Sequence, residues 1–264
     1  MANKTRSGLD SGLDVLEFLS GERTAFALKD IAAAVGMSKS GVHSLLATLS
    51  RRGYVERTPR AGYRLGIKAW ELGGAAPVQD LAEVASEHMA WVAEKIQEGV
   101  ILGKLDGADV VYLHLVESVQ PVRVHAQVGD RILAYCTSTG LALLSSLTNE
   151  QVRALLPARM KAITPESLST REEVIRELDV IRRRGYAINR GGWRTDVGGI
   201  SVCVRDDSGA THGAICVAIP RYRMTKRWLE ATLPCLVEAA ARIGGALTPI
   251  PVGPRSQIGI RRRA

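Results

Sequence analysis

Residues 30–56 read "DIAAAVGMSKSGVHSLLATLSRRGYVE". The segment is alanine-rich, stops at Gly36, restarts at Ser38 and ends on the paired bases Arg51 and Arg52. Leu28 to Val35 are good helix formers and predict a short helix. Gly36 suits the left-handed residue that ends it. Ser38 offers its hydroxyl to an orphan N–H and so caps a second helix. In that helix Val42, Leu45, Leu46 and Leu49 recur at helical spacing and form one buried stripe. The opposite face carries Ser40, His43, Ser44, Ala47 and Arg51. Such small polar groups allow a helix to lie close to base edges in a DNA major groove, where long apolar groups would hold it off. Gly53 closes the helix. Helix, tight glycine turn, second helix is the helix-turn-helix pattern.

The flanks extend the pattern. Downstream, Tyr54–Arg57 and Tyr63–Leu65 read as strands joined by the turn Thr58-Pro59-Arg60-Ala61-Gly62. This predicts a wing whose Arg57, Arg60 and Arg64 reach phosphates. Upstream, Leu13, Leu16 and Leu19 predict a first helix that completes the core. The alternative is a three-helix bundle that binds protein.

Charge favours a polyanion. The net charge is +8, and residues 77–254 contribute nothing to it, holding 20 basic and 20 acidic side chains. The excess lies in residues 1–76, with 11 basic and 7 acidic side chains, and in the last ten residues, with four arginines. Between Ser38 and Lys68 seven bases face one acid, Glu56. A basic cluster beside a neutral bulk points to a polyanion partner for the first domain alone, although a solvated charged face would have the same composition.

At 264 residues and 46% apolar composition the chain can bury a sizeable core. No run of eighteen apolar residues suggests a membrane span. The start "MANKTRSGLDSG" lacks the apolar stretch of a secretory signal, so a cytoplasmic location is expected. Cys136, Cys203, Cys216 and Cys235 have no CxxC spacing and no clustered histidine. They read as reduced thiols rather than a disulfide frame or a zinc site, and no cofactor is expected.

Together, "LKDIAAAVGMSKSGVHSLLATLSRRGYVE" and the later "GYRLG" resemble the DNA-binding domain of IclR-type bacterial transcriptional regulators. The family's recognition segment commonly reads Lys/Asn-Ser-Thr-x-His-Arg-Leu-Leu. Here it is Lys39, Ser40, Gly41, Val42, His43, Ser44, Leu45, Leu46. Gly41 and Ser44 depart from it. The missing arginine at Ser44 removes a DNA contact, so half-site preference does not transfer from relatives. Gly41 costs helix stability, about 1 kcal/mol against alanine. The DNA-contacting set is therefore Ser38, Lys39, Ser40, His43, Ser44, Arg51, Arg57, Arg60 and Arg64.

The resemblance continues through an α+β, GAF-like effector-binding domain with an antiparallel sheet. The expected organisation is a winged helix-turn-helix over 1–67 (the helix pair at about 27–46), a linker helix over 68–79, the effector domain over 80–248, and a basic, disordered tail over 249–264. In the linker region a helix carries Leu81, Val84, His88, Val92 and Ile96 on one face, with His88 read as an interior or interface histidine. Strands are expected at Val100–Leu105, Val110–Val116, Val122–Gln127, Gly199–Arg205 and Gly213–Ile219. Helices are expected near Asn149–Leu156, Thr170–Arg184 and Lys226–Ile243. Strands grouped at both ends with helices between suggest a central antiparallel sheet.

Two segments carry candidate ligand chemistry. "YCTSTG" precedes an apolar helical run, so Thr137, Ser138 and Thr139 place hydroxyls and free N–H groups at a helix start, a site for a carboxylate or phosphate. Ordinary capping needs only one of the three. The second segment, Gly185 to Asp206, aligns with the family's C-terminal signature. It departs at Asn189 (Asp or Ser in relatives), Gly192 (Glu), Gly199 (small polar or Cys) and Arg205 (aromatic or His). The resemblance places Asn189, Gly199, Ser201, Cys203, Cys216 and Ala218 around the effector. Relatives that bind glyoxylate or pyruvate carry serines at the positions of Cys216 and Ala218, which implies a less polar, roomier pocket here. Trp193 and Arg194 could close over a larger acid, or Trp193 could be a packing aromatic.

No Ser/His/Asp spacing, phosphate loop or metal-ligand cluster is visible. The only nucleophile–base pairing that can be drawn is Cys136 with His125, which keeps open a GAF-type redox enzyme or thiol sensor using Cys136. The expected protein is a non-enzymatic, ligand-responsive regulator of a catabolic operon. It would bind a palindromic DNA operator as a dimer or dimer of dimers, with a small carboxylic acid as effector and no membrane partner.

Overall fold

The computed structural model describes residues 7–20, 25–58, 62–74 and 78–247. The chain divides into two compact units, Met1–Pro77 and Val78–Ala264. The basic tail lies outside the described residues, as do Pro59, Arg60 and Ala61 of the expected wing.

The first unit opens with helix α1 (Gly8–Ser20), then α2 (Leu28–Ala34) and α3 (Lys39–Arg51). Gly36 takes a left-handed φ of 65° after α2, and Ser38 Oγ accepts from the Gly41 N–H at 3.2 Å to cap α3. Val42 and Leu46 are fully buried against Val15, Leu19, Ile31 and Val55, while Leu45 and Leu49 pack at the margin. α1 presents a different face from the one its leucines suggest. Ser11, Val15 and Leu19 point inward, Leu16 is half-buried, and Leu13 is 47% exposed. Spacing decides this, because Val15 and Leu19 sit one turn apart and Leu13 does not share their side. Strands β1 (Val55–Thr58) and β2 (Gly62–Leu65) pair antiparallel from Val55↔Leu65 to Thr58↔Gly62. Tyr63 also exchanges two 2.8 Å backbone hydrogen bonds with Phe26, which ties β2 to the residues ahead of α2. Gly62 permits that approach, since a Cβ there would lie 2.1 Å from the Phe26 carbonyl oxygen. The unit ends in α4 (Ile67–Gly74).

The second unit begins at α5 (Val78–Ile96). The expected linker helix thus corresponds to α4 and the start of α5, with residues 75–77 between them outside the described set. The buried face of α5 is Leu81, Ala85, Met89 and Val92. Val84, His88 and Ile96 flank it half-buried, which places His88 at the margin of the core. Strands β3 (Gly99–Asp106), β4 (Asp109–Val116), β5 (Arg131–Leu133), β6 (Ala187–Arg190), β7 (Val197–Arg205) and β8 (Thr211–Pro220) form one sheet in the order β5-β4-β3-β8-β7-β6. All its pairings are antiparallel. α5 and α9 (Lys226–Ala246) cover one face through Met89, Leu102, Ile215 and Leu236. α6 (Ser138–Leu144), α7 (Asn149–Leu155) and α8 (Arg171–Arg184) cover the other through Leu144, Val152 and Leu178.

Two strand expectations change. Val122–Gln127 forms no strand; it belongs to an irregular segment between β4 and β5 in which Val122 is exposed and Val124 and Ala126 turn inward. Its alternation imitates a strand, but the free edge of β4 is taken instead by Arg131–Leu133, paired to Asp109–Val111. The unexpected edge strand β6 pairs with β7 from Ala187↔Ser201 to Arg190↔Gly198. α8 is bounded by a capping box, Thr170 with Glu173, and by Gly185 at φ 85°.

Candidate nucleic-acid interface and ligand cavity

α3 carries its polar face outward. Ser38, Lys39, Ser40, His43, Ser44 and Arg51 are all exposed, and Arg52 beside them is exposed too. The Ser38 hydroxyl is committed to its capping bond and lies 3.2 Å from Ser40 Oγ. On the β1–β2 hairpin Arg57 sits 6.0 Å above the Tyr63 ring. Arg64 is ion-paired with Glu56, its cross-strand partner, so its charge is partly neutralised. Arg60 lies outside the described residues.

In the second unit a cavity of about 290 Å³ opens between α6, the inner strands and the segment before β5. Cys136, Thr137, Ser138, Thr139, Asn189, Trp193, Gly199, Cys216 and Ala218 all line it. Ser201 and Cys203 do not. Ser201 is fully buried and donates to the Ile215 carbonyl at 2.8 Å. Cys203, farther along β7, donates to the Ala142 carbonyl at 3.0 Å.

Sequence reasoning missed the opposite wall, which includes Ile101, Tyr112, Val124, Asp130 and Ile132. A bulge between Leu102 and Gly103 shifts the β3–β4 register. It lets both Tyr112 and Leu115 face the α6 side, although they lie an odd number of residues apart. Strand alternation cannot show such a shift; Gly103 inside an apolar strand was the available signal.

Missing side chains bring α6 onto the sheet. A Cβ on Gly140 would lie 2.1 Å from the Ala134 carbonyl oxygen; one on Gly103 would lie 2.6 Å from Val110 Cγ1 and 2.8 Å from Thr139 Cγ2. Thr137 caps the helix by accepting from Gly140 N–H at 3.0 Å, and Ser138 Oγ lies 3.3 Å from Cys216 Sγ. As first-turn residues Ser138 and Thr139 have no intrahelical acceptor for their N–H groups. Across the cavity Asn189 Oδ1 accepts from Gly192 N–H at 2.8 Å. A Cβ on Gly192 would lie 2.5 Å from Asn189 Nδ2 and 2.8 Å from the Cys136 carbonyl oxygen, so the two departures from the family pattern are sterically coupled. The cavity's arginines are engaged: Arg131 pairs with Asp106 at 2.6 Å and Arg194 with Asp196 at 2.9 Å.

The segment between β4 and β5 is fastened at its start. Arg223 Nη2 donates to the Val122 carbonyl at 2.7 Å and to Glu98 Oε2 at 3.3 Å, and Arg223 Nε lies 3.1 Å from Glu98 Oε1. Ser118 Oγ donates to Glu98 Oε2 at 3.1 Å. Burial raises the Glu98 pKa above the ordinary carboxylate value, against the opposing influences of Arg223 and Ser118.

The thiol chemistry considered for Cys136 is not supported. Cys136 is fully buried, and burial pushes its thiol up to about 11. The thiolate fraction near pH 7 is then about one in ten thousand. His125 contacts Gln127 instead, at 3.3 Å between Nε2 atoms. Among the described residues no cluster of His, Cys, Asp or Glu could hold a metal ion, and no helix is long and apolar enough to cross a membrane.

Residues 74–244 match the bacterial transcriptional regulator IclR C-terminal family, and residues 8–59 match the IclR helix-turn-helix domain. The chain belongs to the IclR family. It is 28% identical to the HTH-type transcriptional regulator XynR of Escherichia coli (strain K12), over 84% of this chain and 83% of that protein. It is 30% identical to the probable transcriptional regulator SauR of Cupriavidus necator, over 91% of this chain and 96% of that one. Among solved structures, an IclR homolog from Microbacterium hydrocarbonoxydans complexed with 4-hydroxybenzoate superposes with a TM-score of 0.82. That protein is 27% identical, and the match covers 90% of this chain and 98% of it. IclR membership makes this chain a DNA-binding transcriptional regulator and not an enzyme.

Proposed function

We propose that this IclR-family regulator binds a palindromic operator as a dimer or dimer of dimers, in the cytoplasm, and controls a catabolic operon in response to a carboxylic acid larger than pyruvate. The observation that carries the acid is the cavity of about 290 Å³ with Ser138 and Thr139 at the start of α6. Unpaired first-turn N–H groups and hydroxyls favour an anion. Gly199, Cys216 and Ala218 widen the cavity and remove hydroxyls, and Trp193 supplies a flat apolar wall, which favours an aromatic acid. The 4-hydroxybenzoate held by the Microbacterium hydrocarbonoxydans protein agrees with this class. The operator is read by the exposed polar face of α3, with His43 at its centre, and the arginines of the hairpin hold phosphates.

Regulation then requires only that the acid bind one arrangement of the operator-reading units better than another. A coupling of about 1–3 kcal/mol changes operator affinity up to roughly 150-fold. Calorimetry with aliphatic and aromatic acids tests the reading, with Ser138→Val and Thr139→Val as controls. Aromatic acids should bind best and the controls should weaken them. Pyruvate or glyoxylate binding best, or unaffected controls, would overturn it.

A further inference from the structure

The hydroxyls and cations around the cavity are not equivalent. Thr137 Oγ1 is held by the Gly140 N–H, Ser138 Oγ lies against Cys216 Sγ, and Arg131 and Arg194 are paired with carboxylates. Tyr112 differs from all of these. Its side chain lines the cavity, the residue is only 7% exposed, and its hydroxyl makes no hydrogen bond to another described residue. The hydroxyl is accessible from the cavity rather than sealed in the core, so a ligand oxygen or a water there can pair with it.

Its location says which part of a ligand it meets. Gly103 is its cross-strand partner, and a Cβ there would touch both Tyr112 Cδ1 at 3.6 Å and Thr139 Cγ2 at 2.8 Å. Tyr112 and Cys216 belong to the same buried cluster, and Cys216 Sγ is 3.3 Å from Ser138 Oγ. The phenol therefore stands at the same end of the cavity as the start of α6. Burial, reinforced by Cys216 and Asp130, holds its pKa far above the ordinary phenol value. The proton stays in place over the whole working pH range and is available to donate.

We infer that Tyr112 is the specificity-determining donor of the cavity, its hydroxyl donating to a carboxylate oxygen of the bound effector. This rests on the acid-effector reading of the same cavity. The consequence is discrimination by charge. A hydroxyl bond to a carboxylate is worth roughly twice one to a neutral carbonyl, so Tyr112 favours an acid over its uncharged amide.

Tyr112→Phe in the full chain tests this, with benzoate and benzamide as probes and with thermal unfolding of the unliganded protein as a second measurement. Benzoate affinity should fall about 10- to 100-fold, and the benzoate-to-benzamide affinity ratio should fall about tenfold. The unliganded Tm should hold or rise, because no bond to the chain is lost and the shape is kept. Equal losses for the two probes would show a merely structural role and overturn the inference. So would a fall in the unliganded Tm of more than about 4 °C, which would mean that the hydroxyl is bonded within the protein. If the unmodified protein binds benzoate no better than benzamide, the acid reading itself fails and this inference with it.

Discussion

Arg223→Met removes the cation that faces Glu98 while keeping most of the side-chain volume. The Glu98 side chain is 6% exposed and that of Arg223 is 23% exposed, so the ion pair is largely out of water. Removing one partner of a buried pair typically costs 3–5 kcal/mol, mostly through the charge left behind. Partial exposure of Arg223 and the surviving Ser118 hydrogen bond set the expectation at the lower end, about 2–3 kcal/mol near pH 8. The cost should depend on pH with a definite sign. The Glu98 pKa is already raised by burial, and losing Arg223 raises it further. A carboxyl whose folded pKa exceeds its unfolded pKa stabilises most below the unfolded value, and that stability is lost as pH rises through the folded value. The deficit of the variant should therefore be smaller at pH 5 than at pH 8. Glu98→Gln added to Arg223→Met should recover most of the loss. Urea unfolding followed by fluorescence of Trp91, Trp193 and Trp228, which all lie in the second unit, reads these values. Effector affinity should also weaken, because Val122 is no longer held ahead of the wall residues Val124 and Ala126. A deficit below about 1 kcal/mol at pH 8, or one that grows on acidification, would refute the reasoning.

Operator binding should weaken steeply with salt, each phosphate contact contributing about −0.9 to the slope of log K against log salt; a fragment of residues 77–264 that binds equally tightly would refute this. His43→Ala should relax preference at one base-pair position by about 1–3 kcal/mol, whereas Arg57→Ala should weaken all sequences alike, as footprinting on variant operators would show. Alkylation of Cys136 should be slow at pH 7 and accelerate only as pH approaches 11, so fast modification at neutral pH would restore the thiol-sensor alternative. Gly192→Glu alone should displace Asn189 and cost about 1–3 kcal/mol, while the same change with Asn189→Ser should cost less; equal Tm losses would deny the coupling.

The helix-turn-helix was legible because its determinants are local: a glycine at φ 65°, a serine cap one turn from the N–H that donates to it and a stripe at helical spacing. The cap and stripe say which face of α3 is free, and the exposed residues are those on that face. The arginines of the hairpin were less legible. Positive charge in a wing suggests phosphate contact, but Glu56 stands directly across from Arg64 and pairs with it. In the cavity, the wall built from α6, β6, β7 and β8 was readable because the family resemblance marks those segments. Ser201 and Cys203, which the resemblance also marks, share the face of Gly199 but do not line the cavity, because both meet backbone carbonyls instead of open space. The far wall depends on a bulge and on an irregular segment whose alternation resembles a strand. Both are consequences of packing between distant residues and leave no periodic trace.

Three glycines lie where α6 meets the sheet, and one of them, Gly199, also lines the cavity. Side chains at Gly103 or Gly140 would run into a buried methyl or a main-chain oxygen, so those positions protect the architecture. At Gly199 an added Cβ would meet Ser138 Oγ at 2.8 Å and Cys216 Sγ at 3.2 Å, groups that face the cavity themselves. At Gly199 capacity and packing are coupled, because the Cβ that would narrow the cavity also presses on the first residue of α6 and approaches the Val217 carbonyl oxygen at 3.3 Å. Reshaping the cavity through Gly199 would have to be matched at Ser138 or Cys216, while the first unit is a separate compact body.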